Sequence, residues 1–137
     1  MPTCVAQLIF IHGDKLALGF RQNVKSQNNV WGFPGGRQEA GETIEMTARR
    51  EAYEEVGVVP AQLTALCTIT DSRDIEHTFF MCEQWQGDLR NCEPERCREV
   101  NWFDIHDLPT DCSAITYQAV SRLEKQLFTN NDTRRTQ

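Results

Sequence analysis

The chain is 137 residues long, 39% hydrophobic and 25% charged, with a formal net charge of −6 and a pI near 5.0. That length is about one domain and suffices to bury a single core without disulfides, and the composition is that of an ordinary globular chain, against both disorder and a membrane class. The acidic balance argues against wrapping a nucleic-acid backbone, which takes clustered Lys and Arg, so a phosphate-bearing ligand would have to be met locally.

In chain order, residues 4–11 and 16–20 read as strands, and the turn His12-Gly13-Asp14-Lys15 between them carries hairpin chemistry. The start has neither a basic n-region nor a signal-type apolar run, and no stretch approaches a membrane span, so the expectation is a cytoplasmic protein. A polar loop follows at residues 22–29. The run WGFPGG, residues 31–36, cannot be helical through Pro34 and the paired glycines, and it predicts a constrained turn feeding a helix. Thr43 is the expected N-cap and Gly57 the expected C′ residue of that helix, whose apolar stripe is Ile44, Ala48, Ala52 and Val56. Residues 63–70, 78–85 and 100–103 are β-rich. Residues 113–128 carry Ile115, Ala119, Leu123 and Leu127 or Phe128 at helical spacing and predict a covering helix. The reading is one domain over 1–128 and a polar, frayed tail over 129–137.

The six cysteines, Cys4, Cys67, Cys82, Cys92, Cys97 and Cys112, contain no CxxC pair and read as reduced and structural. A zinc site using Cys92, Cys97 and His106 or Cys112 is the sharper alternative, but its spacing fits no common ligand pattern.

Within the first helix Glu51, Glu54 and Glu55 fall at i, i+3 and i+4 with no lysine among them. Like charges at this spacing cost a helix roughly 0.2–0.5 kcal/mol per pair. The cluster calls for a cation, and a divalent metal is the expected one. On a helical wheel the carboxylates lie beside the apolar stripe, so one edge packs on the core and the adjoining edge opens to a cleft.

The surrounding stretch completes a pattern, G-x5-E-x7-R-E-U-x-E-E-x-G-U with U aliphatic. Gly36, Glu42, Arg50, Glu51, Glu54, Glu55, Gly57 and Val58 stand at its fixed positions, with Ala52 a small residue at the first U. On these residues the chain resembles the Nudix hydrolases, and its hairpin, WGFPGG turn and later strands come in the order that family requires. The resemblance implies an α/β (α+β) Nudix fold, a mixed β-sheet sandwiched between helices. It implies that Glu51, Glu54 and Glu55 bind Mg²⁺, with Mn²⁺ able to substitute, and that one of them, Glu51 or Glu54, is the general base. It further implies a metal oxygen from the Gly35 carbonyl and an Arg50 that orients a box glutamate. The chemistry agrees: a diphosphate is attacked by water only once its charge is neutralised, and carboxylates holding Mg²⁺ do this.

Outside the box, Arg21 matches in position an arginine that contacts substrate phosphate in the mutator-type nucleoside triphosphate pyrophosphohydrolases of this family; a plain surface arginine is the competing reading. Trp31 and Phe33 are candidates to stack on a base, against a role in the core. Glu42 is a substrate-side candidate, against service as negative charge near the helix N-terminus. Glu93, with Glu95, lies where that branch often carries an extra metal-binding glutamate, against a solvated acidic loop. The segment EPERCREVNWFDIHDLP is similar to one in small nucleoside triphosphate hydrolases of the superfamily. No SQPWPxS motif occurs, and residues 72–75 offer neither the proline associated with ADP-ribose nor the tyrosine associated with dinucleoside polyphosphates.

The implied reaction is Mg²⁺-dependent hydrolysis of a nucleoside diphosphate-linked substrate, first a nucleoside triphosphate, oxidised or non-standard ones included, to monophosphate and pyrophosphate. The implied partner is a small nucleotide or diphosphate, not a nucleic-acid polymer or a membrane, and relatives are often homodimers. Two alternatives stay open: a nucleotide-binding module of the same fold that does not cleave, and a hydrolase of a prenyl diphosphate or sugar nucleotide. Loss of a box glutamate would mark the binding module, and here all are present.

Overall fold

The computed structural model describes residues 2–25 and 27–135, with side chains through residue 127. The chain opens with two strands, β1 (Cys4–His12) and β2 (Lys15–Arg21), joined as an antiparallel hairpin in which His12 pairs with Lys15 and Ile11 with Leu16. Gly13 sits at φ 63°, the left-handed conformation that a tight two-residue loop demands and that glycine adopts without strain.

The WGFPGG run forms a turn around Phe33 and Pro34, flanked by two short strands, β3 (Trp31–Gly32) on β2 and β4 (Gly35–Arg37) on β1. Proline lacks a donor, so it falls between the strands, and its carbonyl accepts from the Leu8 N–H at 2.8 Å. Helix α1 (Ile44–Val56) follows, then β5 (Val59–Pro60), β6 (Thr64–Thr70), β7 (Glu76–Cys82), β8 (Trp85–Gln86), β9 (Cys97–Asp104) and α2 (Ala114–Arg135). The strand expected at 78–85 therefore starts earlier and stops at Cys82. The chain then turns so that Trp85 and Gln86 pair with Pro60 and Val59 in a separate two-stranded sheet. Backbone helix continues through Arg135, so most of the expected tail at 129–137 is helical in its backbone; residues 136–137 and the side chains from 128 onward lie outside the described residues.

The main sheet runs β3-β2-β1-β7-β6, with β4 also on β1 and β9 on β2. The β1–β7 pairing is parallel and the others are antiparallel, which makes the sheet mixed. Because β1 is central, its residues are buried on both faces, and the strand period of two sorts them. Ala6, Leu8 and Phe10 pack with Ala48, Ala52 and Val56 of α1, while Ile9 and Ile11 pack with Phe79, Ala119, Val120 and Leu123 on the α2 side. The sheet is thus sandwiched between two helices. Among the described residues no helix is long and apolar enough to cross a membrane.

Candidate active site

Helix α1 is fixed at both ends by its own sequence. Thr43 Oγ1 accepts from the Met46 N–H at 3.1 Å, and Gly57 at φ 73° donates its N–H back to Ala52 and Tyr53. With the alanine stripe pressed on β1, the adjoining edge carrying Glu51, Glu54 and Glu55 lines a cleft of about 250 Å³. The opposite wall is the turn from Phe33 to Arg37, and the rim carries Arg21, Glu93 and Arg96.

The turn approaches the helix closely because it is built of glycines. A Cβ on Gly35 would collide with the Ala6 carbonyl oxygen and lie 2.9 Å from Gln7 Cα, and one on Gly36 would collide with the Glu51 carboxylate. Gly35 donates its N–H to Glu55 Oε2 at 2.5 Å.

The carboxylate cluster is partly compensated from within the protein. Arg50 donates from Nε to Glu42 Oε2 at 2.7 Å and from Nη2 to Glu42 Oε1 at 3.1 Å. Its Nη1 reaches Glu51 Oε1 at 2.9 Å and Glu54 Oε2 at 3.2 Å, and Nη2 also donates to the Arg37 carbonyl at 3.1 Å. A planar guanidinium fork can serve several carboxylates at once, which an ammonium cannot do with the same geometry. The charge problem posed by the glutamate spacing is therefore met first by Arg50. Glu42 is drawn into this network and is not part of the cleft lining: Thr47 Oγ1 and the Glu39 N–H both donate to its Oε1 at 2.9 Å. Its hydrogen bonds to Arg50, then that from the Glu39 N–H, hold its carboxyl down to about 2.

Arg50 does not reach Glu55. Burial, then the charge of Glu51, push Glu55 well above the usual carboxylate range, against the Gly35 N–H and Arg21, which lower it. Burial likewise raises Glu51, opposed by Arg50 and reinforced by Glu54 and Glu93. Among the described residues no three of His, Cys, Asp or Glu already converge as a coordination sphere, and Glu51 and Glu54 each accept from Arg50. The donor set nonetheless fits a hard divalent cation: every candidate is a carboxylate or carbonyl oxygen, and burial with neighbouring carboxylate charge disfavours the ionised forms of Glu51 and Glu55, a penalty that a bound cation would relieve.

Arg21 follows a register shift between Gly19 and Arg21 in the β2–β9 pairing, and its Nε donates to the Gln27 carbonyl at 3.2 Å. It borders the glutamate cleft and also a second, adjoining cleft of about 350 Å³, and Phe33, Gly35 and Gly36 are shared by both. The second cleft extends past Gln7, Asp71 and His77 to the start of α2 at Ala114 and Ile115. Phe33 forms part of the wall but is itself 4% exposed. Trp31 is placed elsewhere: it borders neither cleft and packs edge-on against Phe20 and Phe103, with ring centroids 5.3 and 4.8 Å apart, inside the α2-side core. An indole buried at that depth has no open face for a base.

Glu93 reaches the cleft from the loop before β9, and Arg96 Nη1 lies 3.8 Å from its Oε2. Two cations of the lining, Arg37 and Arg96, escape a reading of the sequence. Arg37 was signalled only by standing next to Gly36, and Arg96 only by interrupting an acidic loop. The cysteines are free thiols, and Cys112 belongs to the α2-side core.

Residues 2–123 match the family model described as NUDIX domain. Among curated relatives, an 8-oxo-dGTP diphosphatase of Proteus vulgaris is 39% identical over 62 residues, covering 43% of this chain and 55% of the relative. A putative mutator protein MutT4 of Mycobacterium tuberculosis is 36% identical over 88 residues, covering 59% of this chain and 35% of the relative. The chain thus spans only about half of the first and a third of the second. Among solved structures, a MutT NUDIX hydrolase from Burkholderia pseudomallei superposes with a TM-score of 0.84 at 24% identity, over 89% of this chain and 98% of that one. The NUDIX domain of Shewanella oneidensis NrtR, solved with ADP ribose, gives 0.72 at 23% identity, over 93% and 88%. At these identities the structural likeness is one of fold.

Proposed function

The chain belongs to the NUDIX domain family, with likeness to its mutator-type branch, and on that premise we propose that it is a divalent-cation-dependent pyrophosphohydrolase cleaving a nucleoside triphosphate to monophosphate and pyrophosphate. The observation that carries this reading is that Glu51, Glu54, Glu55, Glu93 and Gly35 line one cleft, which Arg21, Arg37 and Arg96 line as well. Mg²⁺, for which Mn²⁺ can substitute, is the proposed cation. Glu51, Glu54, Glu55, Glu93 and the Gly35 carbonyl would hold it.

When bound, the cation neutralises phosphate charge and makes the attacking water more acidic. The residues of the chain supply the rest. Arg50 fixes Glu51 and Glu54 so that one of them takes the proton of the water whose oxygen bonds to phosphorus as the bridging P–O bond breaks. Arg21, Arg37 and Arg96 face the phosphate oxygens and stabilise the charge that passes to the leaving phosphoryl group. The second cleft, continuous with the first through Arg21 and Phe33, takes the nucleoside. Free thiols throughout fit a reducing compartment, so the proposed location is the cytoplasm.

The test is a panel of nucleoside triphosphates, prenyl diphosphates and sugar nucleotides in Mg²⁺, reading phosphate and pyrophosphate separately. Release of pyrophosphate and nucleoside monophosphate is expected. Turnover confined to non-nucleotide diphosphates would overturn the substrate class, and binding without turnover would favour the non-catalytic module.

A further inference from the structure

The second cleft has a polar relay on its floor that the glutamate chemistry does not use. Asp71 Oδ1 accepts the backbone N–H groups of Arg73 at 2.8 Å and Ile75 at 3.1 Å. Its Oδ2 lies 2.9 Å from His77 Nε2, and His77 Nδ1 lies 2.8 Å from Gln7 Nε2. Parallel pairing of β1 with β7, which sets Val5 opposite His77, brings these distant residues together. Gln7 and His77 are 9% and 8% exposed, and both border the cleft.

The proton positions follow from donor and acceptor rules. Burial works against ionisation of Asp71, but the His77 ring and the Ile75 and Arg73 N–H groups outweigh it and hold the carboxyl well below its usual range. An ionised carboxylate only accepts, so His77 Nε2 carries a proton. In a neutral imidazole Nδ1 is then an acceptor, and it must receive the amide N–H of Gln7. With its nitrogen committed to His77, Gln7 has its carbonyl oxygen Oε1 left. Among the described residues no buried side-chain polar atom lacks a partner, and Oε1, the Gln7 atom that His77 does not engage, is the one left to open on the cleft that Gln7 lines.

We infer that Gln7, oriented by the Asp71–His77 pair, is a specificity-determining residue whose Oε1 selects a nucleobase edge carrying an N–H donor. This rests on the proposed function, in which the second cleft takes the nucleoside. Phe33 and Ile115 supply apolar walls for the ring. A base lacking the donor leaves Oε1 desolvated and unpaired, and that penalty, not the attraction itself, makes the selection.

The decisive variant is Asp71→Asn. Its Oδ1 keeps the two backbone N–H groups, so its Nδ2 must face His77 Nε2 and donate to it. The ring proton then moves to Nδ1, and Gln7 must flip to accept it, presenting its NH₂ to the cleft. Imidazole ¹⁵N NMR near neutral pH should show the Nε2–H tautomer of His77 in the wild type and the Nδ1–H tautomer in D71N. For guanosine triphosphate, whose base carries N–H donors, against purine riboside triphosphate, whose base has none, kcat/KM should differ at least about tenfold in the wild type, the scale of one unmet buried hydrogen bond. In D71N the ratio should fall to about one or invert.

Gln7→Glu keeps an acceptor toward the cleft and should retain the preference, whereas Gln7→Met, similar in length but without a carbonyl, should lose it. These two variants decide the matter if D71N fails to fold. A wild-type His77 that is Nδ1–H or doubly protonated overturns the relay, and so does an unchanged ratio in D71N. Equal hydrolysis of both nucleotides by the wild type overturns this inference alone. Hydrolysis of neither overturns the proposed function and takes the inference with it.

Discussion

Gly36 and Glu51 are packed so closely that a methyl group on the glycine would collide with the glutamate carboxylate. Glu51 is the far end of a flexible side chain and can swing aside, so Gly36→Ala should leave the fold largely intact while moving Glu51 off its position beside Arg50. At Gly35 the obstacle is the Ala6 carbonyl, part of the central strand, which cannot give way. We expect G36A to lose most of its activity with a small change in Tm, and G35A to lose stability as well. Thermal unfolding and steady-state kinetics on the pair separate the two effects, and equal Tm losses would refute the distinction.

Glu54→Gln and Glu55→Gln each exchange a carboxylate for a neutral amide of the same shape. Each should slow turnover in Mg²⁺ at least about a hundredfold, the scale on which removing one electrostatic stabiliser acts. Because burial and the Glu51 charge both work against ionisation of Glu55, E55Q, which never ionises, should also raise Tm in EDTA at pH values where the unfolded chain's glutamates are charged. Undiminished turnover in either variant would remove that residue from the metal set.

Arg50→Lys keeps the charge but replaces a planar fork with a point donor. One ammonium cannot span Glu42, Glu51 and Glu54 as the guanidinium does at 2.7, 2.9 and 3.2 Å. A fall in kcat of about ten- to a hundredfold with KM little changed is expected, since misplacing a catalytic group removes stabilisation of the transition state alone. A rise in KM with kcat preserved would instead assign Arg50 to substrate binding.

Acid titration should reveal opposing trends. Glu55 and Glu51 have folded values raised above the ordinary 4.5, so from 4.5 upward through their raised values the folded state holds protons that the unfolded chain has lost, and metal-free stability falls as pH rises. Glu42, depressed to about 2, contributes stability that is fully present above 4.5 and is lost as pH falls toward 2. Cation binding needs the ionised forms and releases those protons. The rise in Tm on adding Mg²⁺ should therefore grow with pH across the window above 4.5. Tm measured against pH in EDTA and in Mg²⁺ checks both slopes, and a Mg²⁺ effect independent of pH would contradict them.

What the sequence made legible was local. The Thr43 and Gly57 caps, the alanine stripe and the i, i+3, i+4 glutamates all lie within one helix, where 3.6 residues per turn fixes which side chains share an edge. The His12–Lys15 hairpin followed from its turn for the same reason. Short strands such as β5 and β8 were not legible, because two residues carry no periodicity and each exists only through its partner.

The sequence by itself therefore determined the family pattern, the first helix and an all-oxygen set of candidate ligands. Tertiary structure alone decided what surrounds them. It turned Trp31 into the core, bound Glu42 and two cleft glutamates to Arg50, brought Glu93 and Arg96 to the rim, and joined Gln7 to His77 and Asp71 across the β1–β7 pairing. These contacts depend on the register between strands far apart in the chain, and a one-residue slip in that register would turn each side chain to the opposite face of the sheet.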